Sequence, residues 1–252
     1  NRHSVYGQNW TYTLNPFWNL AERLRLLINV ASSFKAPSLF YLYSPYGNLD
    51  LRPETSTNLD AGAQFSVSAN RYVRAVYFRR NIRDAVFFES LNVAPFGRYV
   101  NLTRQDAHGL ELDAAWAVGR VQLTGNYTYL NGTQTVPGGA NSQDVTTPNL
   151  LRRPRHVANV VASYQFGKKL MLSGVLRSVG ARTDRFFNET TFRSEDVTLR
   201  SYTTLDVYGR YQPTARLSFF ADLQNLTNAQ YFEVYGFASR RFNATVGAVA
   251  TF

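Results

Sequence analysis

The side chains of this chain are poorly suited to covalent catalysis. It has no cysteine, and its histidines are His3, His108 and His156. His108 has no Cys or suitably spaced His with which to bind a metal. Ser163 and His156 fall on one predicted strand, roughly 20 Å apart at the rise of a β-strand, which is too far for a nucleophile and its base. The sequence therefore predicts no enzyme, no catalytic residues, no metal site and no resident cofactor.

Side chains suited to binding a ligand are more numerous than side chains suited to catalysis. Residues 40–48 (FYLYSPYGN) place Tyr41, Tyr43 and Tyr46 close to Asn48. Flat aromatic rings bury a large ligand at low entropy cost, and a nearby amide can orient it. We therefore expect these four residues to be ligand contacts. The alternative is that the rings pack against other loops.

Arginines and a further tyrosine are the other candidate ligand contacts. Arg152, Arg153 and Arg182 could bind an anionic or amide-rich ligand. The alternative is that these arginines are charges at the rim of a membrane protein, where they would face lipopolysaccharide. Tyr235, in the last predicted loop, is a candidate contact or else an aromatic at the membrane interface.

The net charge of +10 does not indicate a nucleic-acid partner, because the basic residues are scattered over strand ends and loops. Two interpretations remain open. The cations contact anionic lipid headgroups at a rim, or they form a basic funnel for an anionic ligand.

The elements that carry these residues are predicted from period-two alternation. Even positions from Phe242 to Phe252 are Phe or small and apolar, whereas the odd positions are mostly small or polar. One face suits lipid and the other a wet lumen, and an aromatic suits the bilayer interface. The same alternation recurs at residues 110–116, 121–129, 158–166, 199–211 and 217–224. No apolar run reaches the roughly 18 residues of a transmembrane helix.

Short predicted turns alternate with long predicted loops. The turns lie near 68–71, 118–120, 166–169 and 212–215, and the loops span 36–53, 131–154, 180–197 and 227–239. Short turns on one side and long loops on the other are typical of an outer-membrane barrel. The pattern predicts an all-β, transmembrane antiparallel β-barrel of about eleven strands. Single-chain bacterial barrels have even strand numbers, and eleven strands alone would leave two unpaired edges in lipid. We therefore expect residues 1–252 to be the C-terminal half of a barrel of about 22 strands, or one piece of a split barrel.

Ordered motifs resemble the TonB-dependent outer-membrane transporters. The Lys-Ala-Pro of 33–39 leads into a Gly-Asn…Arg-Pro-Glu return at 46–54. Gly109 and Glu111 form a Gly-x-Glu strand motif, and an Asn-Leu-x-Asn block begins at Asn225. Further similar segments are 78–86, 101–116, 153–156 and 240–242. Segments 150–153 and 232–237 look most like the cobalamin receptor branch.

This resemblance implies a receptor in the cell outer membrane that takes up a metal-chelate nutrient as cargo. Its implied partners are the TonB energy-transducing complex, acting through a plug domain that this sequence does not contain, together with lipid and lipopolysaccharide. Cobalamin is the favoured cargo and an iron–siderophore the alternative. A passive porin or adhesive barrel is the alternative of another class. A leader and the early strands are expected to precede Asn1 in the gene product.

Overall fold

The computed structural model describes residues 2–3, 5–91, 94–136, 143–148, 150–191 and 193–252. Their regular secondary structure is β-strand, apart from one short helix. The elements are β1 (Arg2–His3), β2 (Gly7–Gln8), β3 (Thr13–Leu14), β4 (Phe17–Ala21), β5 (Leu24–Lys35), α1 (Leu39–Tyr43), β6 (Glu54–Ser68), β7 (Arg71–Arg83), β8 (Val86–Ser90), β9 (Gly97–Asn101), β10 (Arg104–Val118), β11 (Val121–Val136), β12 (Val145–Pro148), β13 (His156–Phe166), β14 (Leu170–Val179), β15 (Arg182–Asn188), β16 (Arg193–Leu199), β17 (Tyr202–Thr214), β18 (Leu217–Gln224), β19 (Phe232–Val234), β20 (Phe237–Ala238) and β21 (Asn243–Ala250).

One large antiparallel sheet contains the long strands, in the order β21-β18-β17-β14-β13-β11-β10-β7-β6-β5-β3. Strand β4 continues β3 along β5. The break between them falls at Pro16, which has no N–H to give to the ladder. Counting β3 and β4 as one interrupted strand, and leaving out the short β12 that pairs only with the end of β11, gives eleven strands. This confirms the all-β prediction and its strand number. Within the described residues the sheet does not close into a barrel.

The pairing register separates an apolar face from a polar one. One row across the sheet pairs Leu26 with Ala63 and continues through Ala75 and Leu112 to Tyr127. The next residue along each strand belongs to the opposite face, and that row is polar. It consists of Arg25, Gln64, Arg74, Asp113, Asn126, Asn159, Arg177 and Thr204. A shift by one residue would exchange the two faces completely, so the register confirms the predicted alternation.

Side chains on the polar face bond to one another between strands. Arg74 Nη2 lies 2.9 Å from Asp113 Oδ2, and Asn159 Nδ2 donates to Asn126 Oδ1 at 2.9 Å. Such cross-strand polar pairs suit the hydrated lumen of a membrane barrel. The apolar face is exposed over its whole width and carries large side chains such as Trp116 and Phe219.

The two ends of the sheet differ. At one end, which we call the turn end, β4–β5, β6–β7, β10–β11, β13–β14 and β17–β18 are joined by tight turns. Gly119 and Gly167 take positive φ of 58° there, as glycine does readily. The last of these turns lies at residues 215–216, later than predicted, because β17 continues through an irregular register at Pro213. All longer connections lie at the opposite, loop end. No helix in the described part of the chain is long and apolar enough to cross a membrane.

The long connections are more ordered than the sequence indicated. The 36–53 segment contains α1, and the segments predicted as loops at 180–197 and 227–239 contain the hairpins β15–β16 and β19–β20. The β8–β9 hairpin lies in a connection that the sequence did not predict as a loop. In the predicted 131–154 loop, β11 extends to Val136 and pairs with β12. Residues 137–142 and 149 of that loop lie outside the described residues.

Candidate ligand-binding site

The loop end carries an aromatic cluster made by two connections, which we define as Phe40, Tyr41, Tyr46, Phe88 and Tyr99. Tyr99 lies at its centre, because its ring centroid is 4.7 Å from Tyr41, 6.0 Å from Phe40 and 5.3 Å from Phe88. Tyr46 packs edge-on against Phe88 at 5.5 Å. Helix α1 is thereby fixed to the β8–β9 hairpin by aromatic contacts of favourable geometry.

Backbone bonds hold this aromatic cluster in place. Asn48 Nδ2 donates to the carbonyl of Tyr99 at 3.0 Å, and the Tyr99 N–H donates to the carbonyl of Tyr46 at 3.0 Å. The Ser38 hydroxyl accepts from the Tyr41 N–H at the start of α1, as N-cap serines do. Tyr43, the last residue of α1, is 71% exposed. Of the four residues predicted in this loop, Tyr41, Tyr46 and Asn48 make loop-to-loop contacts, and Tyr43 is the most accessible.

A second group at the loop end is centred on Asp184 in β15, which is 0% exposed. Its carboxylate accepts three hydrogen bonds, from Arg152 Nε at 2.5 Å and from the N–H groups of Arg185 and Tyr235 at 2.8 Å each. These donors come from the segment before β13, from β15 itself, and from the β19–β20 hairpin. Asp184 thus joins three connections, and we call this arrangement the Asp184 clasp.

The hydrogen bonds of the clasp set both its charge state and the conformation of Arg152. Burial of Asp184 favours the neutral acid, but the bonds from Tyr235, Arg152 and Arg185 outweigh it, so the pKa of Asp184 lies below its ordinary value. Arg152 takes a positive φ of 60°, which costs a residue with a side chain about 1 kcal/mol or more. Its N–H bond to the carbonyl of Thr183, at 2.7 Å, stabilises this conformation.

A second ion-pair network reinforces two of these connections, those that contain β15 and the β19–β20 hairpin. Arg182 is only 5% exposed, and its Nη2 donates to the carbonyl of Phe232 at 2.7 Å and lies 2.9 Å from Glu233 Oε2. The Tyr202 hydroxyl also donates to Glu233, and the Tyr202 ring stacks on Tyr231 at 3.7 Å. The β19–β20 hairpin is therefore fixed to the ends of β15 and β17.

Arg153 differs from Arg152 and Arg182. It is exposed, and it lines a cavity of about 690 Å³ whose wall includes Asp60, Arg74 and Glu111 on the polar face of the sheet. A cavity of this size suits a small molecule. Tyr235 keeps 41% of its surface exposed although its ring contacts Phe186 at 4.4 Å. Arg153, Tyr43 and Tyr235 are thus predicted contacts that remain accessible, and Arg152 is also exposed although it is bonded to Asp184.

No group of three or more His, Cys, Asp or Glu side chains in the described ranges is arranged to hold a metal ion. Most polar groups at the loop end pair with one another or stay open to solvent, whereas Ser44 Oγ and Arg182 Nη1 are buried without a hydrogen-bond partner. This chemistry suits reversible recognition of a sizeable ligand by aromatic faces and cations.

The family model described as the TonB-dependent receptor-like β-barrel matches residues 1–226. The chain belongs to this family. TonB-dependent receptors lie in the outer membrane and form a receptor family, not an enzyme family. This confirms the resemblance at the level of the family and the predicted location.

Three solved receptors illustrate how far the fold of this TonB-dependent receptor barrel is shared. The pyoverdine outer-membrane receptor FpvA of Pseudomonas aeruginosa bound to pyoverdine is 18% identical with a TM-score of 0.74, over 94% of this chain and 35% of that one. The siderophore receptor PirA of Acinetobacter baumannii is 21% identical with a TM-score of 0.73, over 97% and 41%. A mutant of the ferric enterobactin receptor PfeA of Pseudomonas aeruginosa in complex with enterobactin is 18% identical with a TM-score of 0.72, over 100% and 42%.

The chain therefore spans well under half of the length of these structures. At such identities the likeness establishes the fold. The cobalamin branch that segments 150–153 and 232–237 favoured is not confirmed by the family match or by these structures.

Sequence reasoning missed the groups that organise the loop end. Phe88 and Tyr99 complete the aromatic cluster, and Asp184 and Glu233 bind the arginines that were predicted to face a ligand. One signal was available for the first pair, because the segment between β7 and β10 is too long for a turn and contains Pro95 and Gly97 between aromatic residues. No local signal marks the two acids, because their partners lie far away in the sequence.

Proposed function

We propose that this barrel section belongs to a receptor for energy-coupled uptake of a ferric siderophore across the outer membrane. The observation that carries the proposal is its membership of the TonB-dependent receptor family together with its likeness to receptors described with pyoverdine and enterobactin. The energy-transducing complex would act through a plug domain, as the family resemblance implies. A general porin has no support from the family match.

The accessible residues at the loop end favour a chelate with aromatic or anionic groups. Tyr43, Tyr46 and Tyr235 offer ring faces, and Arg153 offers an exposed guanidinium beside the cavity on the polar face. Ferric chelates that carry negative charge gain from a charge-assisted hydrogen bond to arginine. A nearly neutral, amide-rimmed corrinoid would gain less. We therefore place a ferric siderophore ahead of cobalamin.

The remaining predicted contacts are assigned to shaping the site. Arg152 and Arg182 are held by Asp184 and Glu233, and Asn48 is bonded to the Tyr99 carbonyl. Tyr41 is packed in the aromatic cluster. In this proposal, these four residues fix the loops against which the ligand rests.

The test is equilibrium binding of ferric enterobactin, ferric pyoverdine and cyanocobalamin to the full-length receptor. We expect one of the ferric chelates to bind with sub-micromolar affinity, about −8 kcal/mol or tighter. Tyr43→Ala should weaken that binding by about tenfold, the effect of losing roughly 1.4 kcal/mol of aromatic contact.

The control variant is Tyr164→Ala, which removes the same side chain from the apolar face near the turn end and should leave the affinity unchanged. Tight binding of cyanocobalamin with none of the ferric chelates would overturn the siderophore proposal. Equal losses for the two variants would overturn the assignment of Tyr43 as a contact.

A further inference from the structure

Charge is distributed unequally between the two ends of the sheet. Of the eight ion pairs among the described residues, seven lie at the loop end. They are Arg52–Asp84, Arg98–Glu89, Arg104–Asp106, Arg152–Asp184, Arg177–Glu233, Arg182–Glu233 and Arg185–Asp196. The eighth, Arg74–Asp113, lies on the polar face. Carboxylates therefore neutralise many of the arginines at the loop end, whereas the described residues of the turn end form no such pair.

Every tight turn at the turn end contains a cation or is followed directly by one. These turn cations are Arg23, Arg71, Arg120, Lys168, Lys169 and Arg216, and Glu22 is the only acid in the same turns. All except Arg71 are exposed and have no ion-pair partner within the described part of the chain. Arg71 is half-buried and donates through Nε to the carbonyl of Ala117 at 2.6 Å. The turn end is thus a row of mostly unneutralised positive charge.

The turns are structurally equivalent, so their cations lie at one level of the sheet. In each turn one carbonyl accepts a hydrogen bond from the N–H of the adjacent strand, at 2.7–3.1 Å. The accepting residues are Arg23, Asn70, Arg120, Lys169 and Arg216. Asn70, the one uncharged member, is followed directly by Arg71. Because alternate strands are about 10 Å apart, the cations repeat at about that spacing along the sheet.

Large aromatic residues of the apolar face precede or follow these turns. They are Trp18, Phe65, Trp116, Phe166, Tyr211 and Phe219, all exposed. Aromatic girdles of this kind mark the boundary between hydrocarbon and headgroups in membrane barrels. Cations next to such a girdle stand at headgroup depth, and the long stems of Lys and Arg can reach along the surface to a phosphate.

We propose that the turn end binds anionic phospholipid headgroups of the leaflet that surrounds it. A bilayer borders every turn, which matches a cation that recurs in each turn or directly after it. An acidic protein segment would need charge in one local patch only. The inference requires an outer-membrane barrel but is independent of which nutrient the receptor transports.

The test measures lipid retained by the full-length receptor after reconstitution in nanodiscs of phosphatidylethanolamine alone or mixed with cardiolipin. Native mass spectrometry of the released protein reports the bound lipid. We expect the wild type to enrich cardiolipin, and the enrichment to weaken as salt is raised. The combined variant Arg23→Gln, Arg120→Gln, Lys169→Gln and Arg216→Gln should lower the enrichment by about tenfold or more.

The matched control removes four exposed cations at the loop end, as Lys35→Gln, Arg83→Gln, Arg200→Gln and Arg240→Gln, and should keep the wild-type enrichment. Heat-modifiable gel mobility shows whether each variant is folded. If the turn variant fails to fold, the four single substitutions replace it, and each should lower the enrichment partially. Unchanged cardiolipin enrichment in the folded turn variants would overturn the proposal. So would equal losses in the control, or cross-linking of the turns to an acidic protein in place of lipid.

Discussion

Replacing Asp184 by Asn should loosen three external connections at once. The substitution keeps the size of the side chain but removes the charge that accepts bonds from Arg152, Arg185 and Tyr235. A hydrogen bond to a charged group contributes about 1.5–3 kcal/mol. The Arg152 side chain is 53% exposed, so its share is smaller. Local opening should still become at least about tenfold more frequent.

Hydrogen exchange of the full receptor measures this opening segment by segment. Amides at 182–188 and 232–238 should exchange faster in Asp184→Asn, whereas β10 and β11 should be unchanged. The control is Asp196→Asn in the same hairpin, because the Asp196 side chain is 48% exposed and that of its partner Arg185 is 34% exposed, against 1% for the Asp184 side chain. It should have little effect, as exposed ion pairs contribute about 0–1 kcal/mol. Faster exchange in only one of the two hairpins would contradict the idea that Asp184 joins them.

The stabilisation that the Asp184 clasp contributes should be lost only in a defined range of acidic pH. Because the pKa of Asp184 is lowered in the folded state, its stabilising contribution is complete above the unfolded pKa of about 3.9. The contribution is lost as the pH falls through the lower folded value. Hydrogen exchange in the two hairpins, corrected for its intrinsic pH dependence, should therefore be the same at neutral and mildly acidic pH. Loosening that begins near neutral pH would indicate a different titrating group.

The transmembrane part of the fold could be predicted from the sequence because the signal for each strand lies in the alternation of neighbouring residues. A strand with one face in lipid and one in water must alternate residue by residue, and pairs such as Leu112 and Asp113 place that alternation in the sequence itself. The pairing register then follows from keeping the apolar rows aligned. Strand number and face assignment were therefore correct.

The loop end could be predicted only in part. Tyr41, Tyr43 and Tyr46 stand out in the sequence as closely spaced tyrosines, but Tyr99, at the centre of the aromatic cluster, comes from a distant hairpin. Arg182 and Glu233 meet because two hairpins fold towards each other. An arginine in a loop has the same local sequence whether it faces a ligand or a buried carboxylate, so its role cannot be inferred without the tertiary contact.

Gly109 belongs to a sequence motif, and the reason why this position requires glycine appears only in the structure. It begins the Gly-x-Glu segment that resembles the receptor family, and it is buried in the middle of β10 between Phe78 of β7 and Leu130 of β11. A Cβ atom at this position would lie 1.9 Å from the Tyr129 carbonyl oxygen and 2.6 Å from the Phe78 ring. The ring could rotate away, but the carbonyl belongs to the strand backbone and cannot.

Gly109→Ala should therefore force β10 and β11 apart and destabilise the barrel by about 3 kcal/mol, the upper part of the usual range for overpacking. The matched control is Gly125→Ala in β11, where a Cβ would meet nothing closer than the Asn159 carbonyl oxygen at 3.5 Å. Urea unfolding of the full receptor in lipid vesicles, followed by heat-modifiable gel mobility, compares the two variants. We expect a lower urea midpoint, or no folded band at all, for Gly109→Ala and near wild-type behaviour for Gly125→Ala. Equal midpoints for the two variants would show that the strands absorb the extra carbon, and the requirement for glycine at this position would then have another cause.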